Sequence, residues 1–204
     1  GAHPLREWMR REGSFDPERK DAPNMSRIDE NHEFIAVRSA VLTVSDTRSM
    51  ADDRSGDTLV ERLTGAGHLL AARAIVQDER ADIAAQLRTW CADPEIDVIL
   101  STGGTGLTGR DVTVEAHRDV YEKEIEAFGT VFTLISMQKI GTSAVQSRAC
   151  GGVAMGTYLF ALPGSPGGCR DAWDEILRWQ LDYRHRPCNF VEIFPRLEEH
   201  KRRK

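Results

Sequence analysis

IDVILSTGGTGLTG, residues 96–109, decides the fold: a short, almost wholly apolar run breaks into a turn crowded with Gly103, Gly104, Gly106 and Gly109. An apolar run that brief, bounded by turn residues, reads as a strand buried on both faces of a parallel sheet. The glycine turn then leaves its C-terminal end. Outward from this stretch the same alternation recurs. Residues 37–44 (VRSAVLTV) are β-branched and run into Ser-Asp-Thr; after a polar loop with Gly56, residues 57–63 place Leu59, Val60 and Leu63 on one helical face. Residues 69–76 form a second expected strand, and Asp82 is placed to cap a helix through Ile83, Leu87 and Trp90. Downstream, helices are expected over about 114–128 and 130–138, a strand pair over about 153–162 turned by Gly156, and a last helix over 168–181. Strands alternating with helices predict an α/β fold, a three-layer α/β/α sandwich around a central, mostly parallel but mixed sheet.

Composition narrows the function. A chain of 204 residues with 40% hydrophobic content can close one sizeable core. A net charge of -5 argues against a nucleic-acid partner, which needs a basic face to displace counterions. Cys91, Cys150, Cys169 and Cys188 form no C-x-x-C pair, so neither a zinc site nor a disulfide framework is expected and a reducing, cytoplasmic setting fits. No apolar run is long enough to cross a membrane. Residues 1–33 mix both charge signs with prolines and read as a poorly ordered tail or an added extension, with Met25 a natural start for the globular part. A rival reading makes Leu5, Trp8 and Met9 a short docking helix. The folded domain is expected over residues 34–195, followed by a charged stub over 196–204.

The glycine turn is built to hold an anion. Successive backbone N–H groups without side chains in the way, at the carboxyl end of a buried strand, suit a phosphate. Thr102, Gly103, Gly104, Thr105 and Gly106 are the candidate cradle. A P-loop is excluded, because Arg110 and Asp111 stand where Lys and Ser or Thr are required. The dinucleotide fingerprint is met by Gly104, Gly106 and Gly109, but the polar Arg110 to Thr113 delays the helix that should begin inside it. A plain turn needs fewer glycines.

A second such turn, LPGSPGG at residues 162–168, also joins an apolar strand to a helix, so Pro163, Gly164, Ser165 and Pro166 are expected beside the first loop at one sheet edge. Ser165 is not a hydrolase nucleophile, since Pro166 removes an amide that an oxyanion hole needs. Asp46 and Ser45 follow the first strand, Asp78 the second and Asp111 the third. Parallel strands would bring these carboxylates to the same edge, where ligands bind in open α/β sheets. Beside two phosphate-cradling loops they become candidates to hold Mg2+, which favours one or two carboxylates plus substrate phosphates. Asp111 could instead cap the next helix. The histidines show no ligand spacing.

VLTVSDTRS (41–49), RSGD (54–57), LSTGGTGLTGRDVTVEA (100–116), EAFGTVF (126–132), IGTSAVQSRA (140–149), ALPGSPGGCRDAW (161–173) and RPCNF (186–190) together resemble the molybdenum cofactor biosynthesis protein B family, within the wider molybdopterin-binding and adenylyltransferase superfamily. The resemblance implies a trimer or hexamer that binds molybdopterin, a pterin dithiolene with a terminal phosphate. Adenylyltransferase members of the superfamily transfer AMP from Mg-ATP to that phosphate, and their functional aspartates match Asp78 and Asp111. The glycine turn would then cradle phosphate, and residues 163–166 would hold the pterin end or its phosphate. Arg110 could offset charge on pyrophosphate or pair with a neighbouring acid. A noncatalytic molybdopterin-binding or assembly protein is the alternative that the same resemblance leaves open.

Overall fold

The computed structural model describes residues 27–202. Leu5, Trp8, Met9 and Met25 lie outside the described residues. A six-stranded sheet has the order β3 (Leu69–Val76), β2 (Arg38–Val44), β4 (Val98–Thr102), β7 (Thr157–Leu162), β6 (Cys150–Ala154) and β5 (Lys123–Glu124). The first four run parallel, whereas β6 is antiparallel to both its neighbours, which makes the sheet mixed. Its parallel centre is buried on both sides, as the apolar run at 96–100 predicts.

Side-chain alternation builds the three layers. Along β2, Val41 faces one core while Ala40, Leu42 and Val44 face the other; along β7, Tyr158, Phe160 and Leu162 oppose Leu159. Over the first face lie α1 (Arg54–Gly65), α4 (Glu126–Ile140) and α5 (Pro166–Ala172), which runs on through a π-turn (Trp173–Leu177) into α6 (Arg178–Gln180). Over the second lie α2 (Arg80–Cys91) and α3 (Thr113–Arg118).

Several expected boundaries move for identifiable reasons. The helix expected over 114–128 is instead the short α3, the edge strand β5 and the start of α4. Lys123 and Glu124 pair with Val153 and Gly152, because the antiparallel β6 offers an open edge that the local pattern could not reveal. Asp82 does not cap α2, whose N-cap is Glu79 without a side-chain bond; Asp82 sits in the first turn, where its charge still suits the helix dipole. The last helix begins at Pro166, since Ser165 accepts from the Gly168 amide and proline fits the first helical position.

At the chain ends, Arg27 and Ile28 (β1) pair with Arg186 and His185 (β8), so the stretch read as tail up to residue 33 includes an ordered strand. The stub read over 196–204 contains a helical turn, α7 (Glu199–Arg202). Among the described residues no helix is long and apolar enough to cross a membrane.

Candidate functional site

From β2 the chain crosses to β3 by way of α1 over one face, then returns to β4 by way of α2 over the other. Where the direction of travel switches, open α/β sheets place their ligand crevice outside the carboxyl ends of the two strands. Here the loops after those strands are residues 45–53 and 103–112. Residues 77–79 after β3 and 163–165 after β7 flank them.

The glycine loop takes its shape from close contacts. Gly103 and Gly104 have φ of 100° and 63°, a conformation that side chains resist. A Cβ on Gly103 would strike the Val44 carbonyl, and one on Gly104 would strike Thr113 Oγ1 and stand 2.9 Å from Asp78 Oδ1. Arg148 holds the far half of the loop by donating to the carbonyls of Thr105, Gly106 and Asp111 while pairing with Glu115. Because a trans peptide points its C=O and N–H in opposite directions, the Gly106 and Leu107 amides are turned away from Arg148. Thr113 Oγ1, fully buried beside Gly104, has no hydrogen-bond partner.

The three predicted aspartates do converge, in different states. Asp46 accepts from Arg110 Nε at 3.0 Å and Nη2 at 2.9 Å and from the Asp78 amide at 3.1 Å. The Arg110 guanidinium, followed by that amide, holds its carboxyl below the usual range. Arg110 also reaches Glu79 at 2.7 Å, so it pairs with acids. Asp111 does not cap α3, whose N-cap is Val112; it accepts from the Thr108 hydroxyl at 2.7 Å and amide at 2.9 Å, and those bonds hold its carboxyl low. Asp78 differs. No side chain among the described residues donates to its carboxylate, and burial, then the charges of Asp46 and Asp111, push its carboxyl up.

The second loop packs against the first as expected. Gly164 lies so near Gly103 that a Cβ would stand 3.2 Å from the Gly103 Cα. Thr102, predicted to meet phosphate, is buried and turns its hydroxyl inward to the Pro163 carbonyl at 2.8 Å, which ties the two loops together. Ser45 Oγ accepts from the amides of Thr47 and Arg48, and Ser165 is occupied in capping α5. Sequence reasoning missed Thr113, Arg148 and Arg48. Arg148 lies in the IGTSAVQSRA stretch, but only the folded chain brings it under a loop some 40 residues earlier, with separations of 42 and 37 to Gly106 and Asp111.

Among the described residues no three His, Cys, Asp or Glu side chains cluster closely enough to hold a metal by themselves. Any cation here would need its remaining ligands from a substrate, and Asp78 has the electrostatic deficit that a cation relieves.

Comparison with known proteins gives the family. The family model described as a probable molybdopterin binding domain matches residues 40–183. Molybdenum cofactor biosynthesis protein B of Escherichia coli K12 is 49% identical over 158 residues, covering 78% of this chain and 93% of that protein. The protein of the same name from Bacillus subtilis strain 168 is 40% identical over 142 residues, covering 69% and 84%. A crystal structure of a molybdenum cofactor biosynthesis protein B matches with a TM-score of 0.74 at 36% identity, covering 82% of this chain and 99% of that one. By family match, identity and fold alike, the chain belongs to the molybdenum cofactor biosynthesis protein B family.

Proposed function

We propose that this protein binds molybdopterin in the crevice and transfers AMP to its terminal phosphate from Mg-ATP, as a homo-oligomer, a trimer or hexamer. The observation that carries this reading is Asp78, a half-buried carboxylate without a side-chain donor, set against two further aspartates and the bend at Gly104. The residual repulsion at Asp78, whose carboxyl is raised by burial and its two neighbours despite the Arg110 charge, is relieved by a bound cation.

The residues fit such a cation. Asp78 and Asp111 would hold it from the protein side, while Asp46 stays neutralised by Arg110. When bound with the triphosphate, Mg2+ offsets charge on the phosphate oxygens and polarises the α-phosphorus. The chain's own part is positioning. Glycine-loop amides beyond Gly103, whose own amide donates to the Leu162 carbonyl, would meet the phosphate oxygens, and Arg148 keeps Asp111 and the loop in place. A terminal phosphate oxygen of molybdopterin bonds to the α-phosphorus of ATP as the bond to the bridging oxygen breaks, and pyrophosphate leaves with that oxygen.

Oligomer formation finds support in an apolar surface. Val131, Leu134, Met137 and Ile140 on α4 and Val145 just after it are all exposed, and exposed apolar side chains grouped on one element mark interaction surfaces.

Incubation with molybdopterin, Mg2+ and α-labelled ATP tests the reaction, with Asp111→Asn alongside. Label on the pterin with the wild type and its loss with the variant are expected. Tight molybdopterin binding without any label transfer would make this the noncatalytic binding protein, a reading that the engagement of Asp46 and Arg110 with each other also accommodates.

A further inference from the structure

The arginines around the crevice divide into two kinds. Arg110 pairs with Asp46 and Glu79, Arg148 with Glu115, and Arg73 with Asp53 and Asp57. Arg48 is held differently. From the loop after β2 its Nη1 donates to Ser55 Oγ at 2.7 Å and its Nη2 to the Gly164 carbonyl at 2.9 Å, and it forms no ion pair among the described residues. Neutral oxygens orient the guanidinium, and its charge acts on the nearby Asp52 carboxylate only through space, without a direct ion pair. The planar guanidinium fork matches phosphate oxygens.

Arg170 on α5 also forms no ion pair among the described residues, and its Nη2 lies 4.0 Å from where a Cβ on Gly167 would stand. Both guanidinium groups act on the Cys169 thiol behind the second loop, which burial nonetheless pushes up to about 11. One sheet edge therefore carries aspartates on the glycine-loop side and arginines without a direct ion pair among the described residues on the side of residues 163–166. A metal-chelated triphosphate suits the first side, because its cation takes carboxylate ligands. A bare phosphate monoester is repelled there and attracted by the second.

We infer that Arg48 recognises the metal-free phosphate monoester of the pterin substrate, with the Mg-triphosphate held on the opposite side by Asp78 and Asp111. The inference rests on the functional reading above and adds which side of the crevice each substrate occupies.

Direct titration tests it. Wild type, Arg48→Gln and Arg48→Lys are titrated with molybdopterin in the absence of nucleotide and Mg2+, with molybdopterin from which the phosphate has been removed, and separately with Mg-ATP. Arg48→Gln should bind molybdopterin at least about tenfold more weakly, Arg48→Lys should lose less, and Mg-ATP affinity should hold within about twofold. The penalty should vanish with the dephosphorylated pterin. Unchanged molybdopterin affinity in Arg48→Gln, an equal loss for the dephosphorylated pterin, or a parallel loss of Mg-ATP overturns the inference while leaving the functional reading intact. A wild type that binds no molybdopterin overturns both. Retention of Mg-ATP binding by each variant shows that it is folded.

Discussion

Asp78 sets stability against the proposed function. Its carboxyl is raised above the ordinary 3.8 by burial and by two like charges, so the native state binds its proton more tightly than the unfolded chain does. The unliganded protein therefore loses stability as pH rises from the unfolded value through the raised one. Asp78→Asn removes that penalty and should raise the thermal midpoint at neutral pH by about 1–3 °C; a fall in the midpoint would show that the carboxylate is already compensated. Gly104 makes the opposite case. With φ at 63° and Thr113 Oγ1 and Asp78 Oδ1 in the way of a Cβ, Gly104→Ala should cost about 1–3 kcal/mol in urea unfolding. An unaltered midpoint would mean that the bend tolerates a side chain.

Helix starts position the crevice loops, and their caps are separable from the chemistry. Asp53 opens α1 from a buried position, accepting from Thr43 Oγ1, the Gly56 amide and Arg73. Burial alone would raise its carboxyl, but those three donors together hold it low. Asp53→Ala removes the cap of α1 and the buried partner of Arg73, which keeps Asp57, and should cost about 2–3 kcal/mol in urea unfolding, whereas Ser165→Ala, which removes only the cap of α5, should cost about 1 kcal/mol. Equal losses would contradict this ranking. The strands at 69–76 and 153–162 were legible because β-branched and apolar runs ended in turn residues. The break between α3 and α4 was not, because Lys123 and Glu124 become a strand only by adding to the edge of β6. At the site, the aspartates and both loops could be read from their places after strands. Arg148 and Arg48 act through contacts distant in sequence, which periodicity does not report, and Thr113 stands out only by its burial without a partner.

At the scale of the molecule, two buried histidines set the acid limit of stability. His117, bonded to Ser101 Oγ and Tyr121, has its pKa lowered by burial to about 3, and burial lowers that of His68 to about 4, both from 6.5. Their neutral forms stabilise the fold above pH 6.5, and that stability is lost as pH falls from there toward the depressed values. Urea unfolding should show stability declining between pH 6.5 and 4.5, with a slope approaching about 2.7 kcal/mol per pH unit near pH 5; a flat profile would contradict the burial of both rings. The exposed apolar side chains of α4 should make assembly sensitive to charge, so Leu134→Glu is expected to lower the mass found by light scattering. An unchanged mass would contradict the proposed assembly through α4. The proposed function brings a cation and two phosphates to one sheet edge. The most direct measurement is the rate of labelled AMP transfer to molybdopterin by Asp78→Asn relative to the wild type, with both substrates saturating. A drop of at least about a hundredfold is expected; transfer within a few-fold of the wild type would contradict the placement of the reaction at Asp78.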